Sequence, residues 1–173
     1  TGFEVLRTGR LAADRLDQLA RLVVLFVCSG NTCRSPMAAA IFRSLLADQL
    51  GCQPDEVEAQ GVQVASAGLA AWGGSPASDQ AVETLAAEGI DLASHSSQPL
   101  TERLARQADL IWTMTAAHRA AILAQFPDLS DRVWTLSPGR RDVSDPIGGS
   151  LETYGRCAAQ IREHLESRIG TLG

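Results

Sequence analysis

Leu22-Val23-Val24-Leu25-Phe26-Val27 is apolar at every position, and it runs directly into Cys28-Ser29-Gly30-Asn31-Thr32-Cys33-Arg34-Ser35-Pro36. An uninterrupted apolar, β-branched run of this length suits a strand covered on both faces. Proline suits the first turn of a helix, and Met37, Ile41, Leu45 and Leu46 then carry an apolar face as far as Gly51. A buried strand that turns through a short polar loop into a helix restricts the chain to α/β architectures. It also locates the ligand end, because such folds bind at the carboxyl ends of their strands.

The same alternation continues. Val62–Ala67 reads as a second strand, followed by turn-rich residues 68–78 and a helix from about Ala81 to Glu88 that stops at Gly89. Thr101–Ala108 reads as a short helix, Asp109–Met114 as a third strand, Thr115–Phe126 as a helix ended by Pro127, and Arg132–Leu136 as a fourth strand. Residues 137–150 hold two prolines and three glycines, too many for a regular element. In the last segment Leu151, Tyr154, Ala158, Ile161, Leu165 and Ile169 recur at helical spacing. Strands alternating with helices imply a parallel sheet with right-handed crossovers. Residues 1–21 are set apart as an N-terminal extension, where Leu11, Leu16 and Leu19, with Leu22 just beyond, fall at roughly helical spacing and suggest a short surface helix. Phe3–Gly9 resembles the end of a threonylcarbamoyl-adenylate synthase domain, so the extension is expected to be the remnant of an upstream fused domain. Residues 22–173 form the domain proper.

Composition narrows the chemistry. All 15 basic residues are arginine, against 20 acidic residues and a net charge of −5. Without lysine there is neither a Walker-type phosphate loop nor a Schiff base, so a bound phosphate must rest on backbone N–H groups, hydroxyls or arginine. The acidic balance argues against a nucleic-acid partner. No apolar run approaches the ~20 residues of a membrane span. Four irregularly spaced cysteines make a poor disulfide framework, which points to a reducing, cytoplasmic location. No cluster of His and carboxylates offers a metal site, and no cofactor is expected.

The loop itself reads as an anion site. Successive N–H groups of Ser29, Gly30, Asn31, Thr32, Cys33, Arg34 and Ser35 can converge on one oxyanion at the helix N-terminus. Gly30 and Asn31 tolerate the left-handed backbone that a concave turn demands. Arg34 can close the site with a bidentate fork. The same field stabilises negative charge on the Cys28 sulfur. An anion site with a thiolate at its base is suited to phosphoryl transfer onto sulfur.

The nine-residue string resembles the signature of the low-molecular-weight protein tyrosine phosphatase family, C-x-G-N-x-C-R-S-P after the first strand. The resemblance extends from about Leu22 to Leu165 through Ser66-Ala67-Gly68 with Trp72, Ala108-Asp109-Leu110 with Met114 and His118, and Asp145-Pro146. It implies a single-domain, three-layer α/β sandwich with a central parallel four-stranded sheet and the phosphate loop after strand 1. It implies Cys28 as nucleophile, Arg34 as phosphate binder and Asp145 as general acid. It further implies loop support from Asn31, Ser35 and Ser66, with Trp72 as a wall of the cleft. The expected partners are phosphorylated protein substrates and inhibitory oxyanions such as phosphate or vanadate.

Within that family the residue between Asn31 and Cys33 distinguishes two branches. Tyrosine phosphatases usually carry a bulky aliphatic residue there and protein arginine phosphatases threonine, and here it is Thr32. Ile147, where an aromatic is common, and Trp72 pull the other way, which leaves phosphoarginine slightly ahead of phosphotyrosine. A non-catalytic phosphopeptide-binding module and a thiol arsenate reductase are the rivals. Asp142 is a second candidate acid, and Cys33 is either a packed residue or a redox partner for Cys28. Cys52, Cys157, His95 and His118 read as structural, His164 as solvated, Trp112 and Trp134 as core, and Asp109 as a cap or a local hydrogen-bonding group.

Overall fold

The computed structural model of the chain describes residues 21–139 and 141–171. Most of the surface helix expected in the N-terminal extension lies outside the described residues, but Leu22, read as its last apolar position, is the first residue of the first strand and pairs with Val62. Strand β1 (Leu22–Cys28) leads to helix α1 (Arg34–Leu50), β2 (Val62–Gly68), α2 (Asp79–Ala86), α3 (Glu102–Gln107), β3 (Leu110–Thr113), α4 (Ala116–Gln125), β4 (Val133–Thr135) and α5 (Leu151–Thr171). Two short 3-10 turns, Pro54–Glu56 and Pro127–Leu129, escape a reading based on periodicity. Each is opened by proline, whose fixed φ suits a first turn.

All strand pairs are parallel and the order is β2-β1-β3-β4, as the alternation of elements predicts. Side chains alternate along β1: Val24, Phe26 and Cys28 enter one apolar core, while Leu25 and Val27 enter the other. The first core is closed by α1, α2 and α5, and the second by α3 and α4, which gives three layers. Phe26, Phe42 and Trp112 pack with ring centroids 5.4–5.5 Å apart, fastening α1 across β1 and β3. The chain leaves β1 toward β2 on one side and has β3 on the other. The loop after β1 therefore sits where the strand order reverses, the usual ligand crevice of an open α/β sheet.

Four readings are corrected. Trp134 is 43% exposed rather than core, because β4 is an edge strand, and the Arg119 guanidinium lies 5.9 Å from its ring. His164 is buried, not solvated: it stands one turn beyond Ile161 and beside Leu165 on the apolar stripe of α5. Asp109 accepts from the backbone N–H of Val23 at 2.8 Å, so it ties the start of β3 to β1 instead of capping locally. Gly30 does not have a positive φ; Asn31 alone in the loop does, at 56°.

Candidate active site

The sequence from Cys28 to Ser35 folds into a tight loop because both ends are fixed. Cys28 ends the most interior strand, and Met37 N donates to Cys33 O at the start of α1. The N-terminus of α1 differs from the others. Ser78, Thr101 and Thr115 cap α2, α3 and α4 with their side chains, and Ser150 Oγ accepts from Thr153 N at the start of α5. Helix α1 has no side-chain cap and no acidic residue in its first turn. Its first N–H groups thus lack a side-chain acceptor, which leaves the positive end of its dipole uncompensated beside the loop.

Asn31 holds the loop's shape. It is fully buried, and its amide uses both donors and its oxygen from one orientation. Nδ2 donates to Ser35 Oγ and to Ser66 Oγ, both at 2.9 Å, while Oδ1 accepts from Gln98 N at 2.9 Å. Its carbonyl accepts from His95 Nε2 at 2.7 Å, which fixes the proton of that ring on Nε2. Gly68 makes room for this arrangement. A Cβ there would lie 2.5 Å from Ser29 O and 2.9 Å from Asn31 N, distances no backbone tolerates.

Cys28 is buried at the loop's base, with Ser35 Oγ 2.9 Å and Asn31 N 3.3 Å from its sulfur. Ser35 Oγ accepts from Asn31, and its own hydrogen has two acceptors in reach, Ala67 O at 3.4 Å and the Cys28 sulfur at 2.9 Å, the nearer of which a sulfur anion would make the stronger. Arg34, nearly buried, donates from Nη2 to Asp145 Oδ2 at 2.6 Å and from Nη1 to Val143 O at 3.3 Å. Ile147 N donates to the other carboxylate oxygen of Asp145 at 3.2 Å, which orients the group. Asp142 is engaged elsewhere, accepting from Ala116 N at the start of α4. The structure thus brings Asp145, not Asp142, against Arg34.

Thr32 is half-buried, and its carbonyl accepts from Ser78 N at 2.9 Å. Trp72 and Ile147 stand exposed on the loops after β2 and β4, at 84% and 71%. Cys33 is a buried free thiol whose sulfur lies 3.3 Å from Tyr154 Oη and 3.4 Å from Ser78 Oγ. Burial, with the Cys33 sulfur beside it, raises the Tyr154 hydroxyl above its ordinary range. Burial pushes the Cys157 thiol up to about 12, which keeps it in the thiol form at neutral pH.

Sequence reasoning missed the outer ring of this site. His95, Gln98, Tyr154 and His118 all touch the loop, yet none belongs to its contiguous string. Tyr154 could be read only as part of the α5 stripe, and a single histidine carries no spacing signal.

Comparison with known proteins agrees with the geometry. Residues 23–172 match the family model described as low molecular weight phosphotyrosine protein phosphatase. A protein-arginine-phosphatase of Bacillus subtilis is 41% identical over 153 residues, covering 86% of this chain and 93% of the relative. A probable low molecular weight protein-tyrosine-phosphatase of Ralstonia solanacearum is 36% identical over 154 residues, covering 87% and 97%. Among solved structures, a YwlE arginine phosphatase mutant with a phosphorylated active-site serine matches with a TM-score of 0.77 and 39% identity, covering 87% of this chain and 95% of that one.

Proposed function

The chain belongs to the low molecular weight phosphotyrosine protein phosphatase family, and from that membership we propose that it hydrolyses phosphorylated protein side chains through a phosphocysteine intermediate, favouring phosphoarginine over phosphotyrosine. The observation that carries the reading is the meeting of Cys28, the uncapped start of α1 and the Arg34–Asp145 pair around one loop.

The substrate phosphoryl group takes the loop N–H groups and the fork of Arg34, which releases Asp145 toward the leaving group. The Cys28 thiolate attacks phosphorus while the bond to the leaving nitrogen or oxygen breaks, and protonated Asp145 gives that atom its proton. In the second step the Asp145 carboxylate takes a proton from water, the water oxygen attacks phosphorus, and the sulfur–phosphorus bond breaks. Ser35 donates to the departing thiolate at the 2.9 Å separation already in place. The phosphorylated serine of the YwlE mutant supports a phosphoenzyme of this kind.

Thr32 and the 41% identical arginine phosphatase favour phosphoarginine. The exposed Trp72 favours the tyrosine reading, since it offers a flat face to a ring. Trp72, Ile147 and Thr32 are the residues we assign to the cleft. Cys33 remains a candidate redox partner of Cys28, to be tested by non-reducing mass spectrometry after mild peroxide. The described residues include no helix long and apolar enough to cross a membrane, and a cytoplasmic location is part of the same proposal.

The activity is tested by vanadate-sensitive hydrolysis of para-nitrophenyl phosphate, which Cys28→Ser should abolish while oxyanion binding survives. A binding module would lose little. Substrate class is tested by kcat/KM on phosphoarginine and phosphotyrosine peptides, in the wild type and Thr32→Ile. A wild-type preference for phosphotyrosine that the substitution leaves unchanged refutes the arginine assignment.

A further inference from the structure

Two histidines touch the loop, and one of them does more than hold its shape. His118 lies in the first turn of α4, its backbone N–H taken by Thr115 Oγ1, and only 7% of its surface is exposed. Its Nε2 is 2.9 Å from Ser29 Oγ, and its Nδ1 is buried with no partner. Burial first, then the nearby Arg34 charge, push the ring below the usual histidine range, against opposing pulls from Asp142 and Asp145. The ring is therefore neutral at pH 7 and carries one N–H.

Two placements of that hydrogen are open, and they differ in cost. On Nδ1 it would be a buried donor without an acceptor, the rarer kind of orphan in folded proteins. On Nε2 it donates to Ser29 Oγ and leaves only a lone pair unmatched. In that arrangement the hydrogen of Ser29 is not used by His118. Ser29 follows Cys28 directly and is exposed on the loop, and among the described residues its hydroxyl has no other partner. The Ser29 carbonyl is meanwhile fixed by Ala70 N at 2.9 Å, so the residue as a whole is held in place.

We propose that His118 is a positioning residue that turns the Ser29 hydroxyl hydrogen toward the bound phosphoryl group, adding a side-chain donor to the backbone N–H groups and Arg34. This rests on the reading of the loop as the phosphoryl site. It predicts that the pair Ser29–His118 acts as one unit in oxyanion affinity.

The test is a double-mutant cycle with Ser29→Ala and His118→Phe, reading inorganic phosphate affinity by titration calorimetry together with kcat and KM on para-nitrophenyl phosphate. Each single variant should weaken phosphate about tenfold, the scale of one hydrogen bond to a charged group. The double variant should be no weaker than either single one, and His118→Gln, whose amide keeps an N–H in reach, should recover most of the loss. Effects that multiply, or a folded His118→Phe with wild-type phosphate affinity, overturn the proposal. Should the Phe variant not fold, Ser29→Ala decides alone: unchanged phosphate affinity refutes it. A wild-type chain that binds phosphate without hydrolysing the ester refutes the phosphatase reading instead, and the four affinities still decide this one. Absence of phosphate binding in the wild type overturns both.

Discussion

Replacing Asn31 by alanine removes three hydrogen bonds at once and leaves a methyl group on a backbone with φ of 56°. The losses are unequal. Ser35 and Ser66 lose only an incoming donor, which leaves a hydroxyl lone pair unmatched, and Ser35 keeps its own donor contact with Ala67 O at 3.4 Å. Gln98 N loses its acceptor instead, so its desolvated N–H accounts for about 2 kcal/mol. The two lost amide donors add about 1 kcal/mol in total, and the left-handed backbone, which asparagine tolerates and alanine does not, about 1 kcal/mol more. A total near 4 kcal/mol corresponds to a fall in Tm of roughly 8–16 °C for a chain of this size. Scanning calorimetry on Asn31→Ala measures that fall, and Asn31→Gly, which keeps the conformation, should recover roughly a quarter of it. Asn31→Asp separates shape from charge. It can still accept from Gln98 N but donates to neither serine, so kcat should fall far more than Tm. An Asn31→Ala protein that melts within about 2 °C of wild type and keeps its kcat/KM would show that this side chain does not hold the loop.

Gly68→Ala should keep the fold but displace the loop, because the new Cβ meets backbone atoms of Ser29 and Asn31; we expect a loss of about 1–3 kcal/mol in stability and at least tenfold in kcat/KM, read by melting and kinetics. With its thiol near 12, Cys157 has about one part in 10⁵ as thiolate at pH 7, so iodoacetamide followed by peptide mass mapping should find it unmodified in the native protein. Burial holds His164 below the ordinary histidine value of 6.5. As pH falls below about 6.5 the unfolded chain takes up a proton that the folded chain refuses, so stability declines toward the folded pKa and is untouched above 6.5. Melting curves from pH 7.5 to 5.5 should show that decline, and His164→Leu should flatten but not abolish it, because His118 is shifted the same way.

How much of this was legible in advance depends on the range of the contacts. The strand, loop and first helix are written in one contiguous stretch, so local pattern and chemistry pointed to Cys28 and Arg34 together. Asp145 needed the family resemblance, since nothing in residues 137–150 marks which of its two aspartates turns inward. The supports of the loop reach it from 64 residues away for His95, 67 for Gln98, 89 for His118 and 121 for Tyr154. Contacts of that separation leave no periodicity, and each residue type has a commoner structural use. His164 was misread because its charged neighbours Arg162 and Glu163 mask its place on the apolar stripe. Trp134 was misread because an apolar strand residue does not announce whether its strand lies inside the sheet or at its edge.

The central position of β1 has a consequence for how such an enzyme changes its substrate over evolutionary time. Cys28, the proposed nucleophile, hangs from a strand with an apolar core on each face, the kind of setting that opens last. Trp72 and Ile147 belong to connecting segments with little packed over them. On the proposed cleft assignment, substitutions at those rim positions re-select the accepted side chain, ring or guanidinium, while the transfer step below is inherited intact.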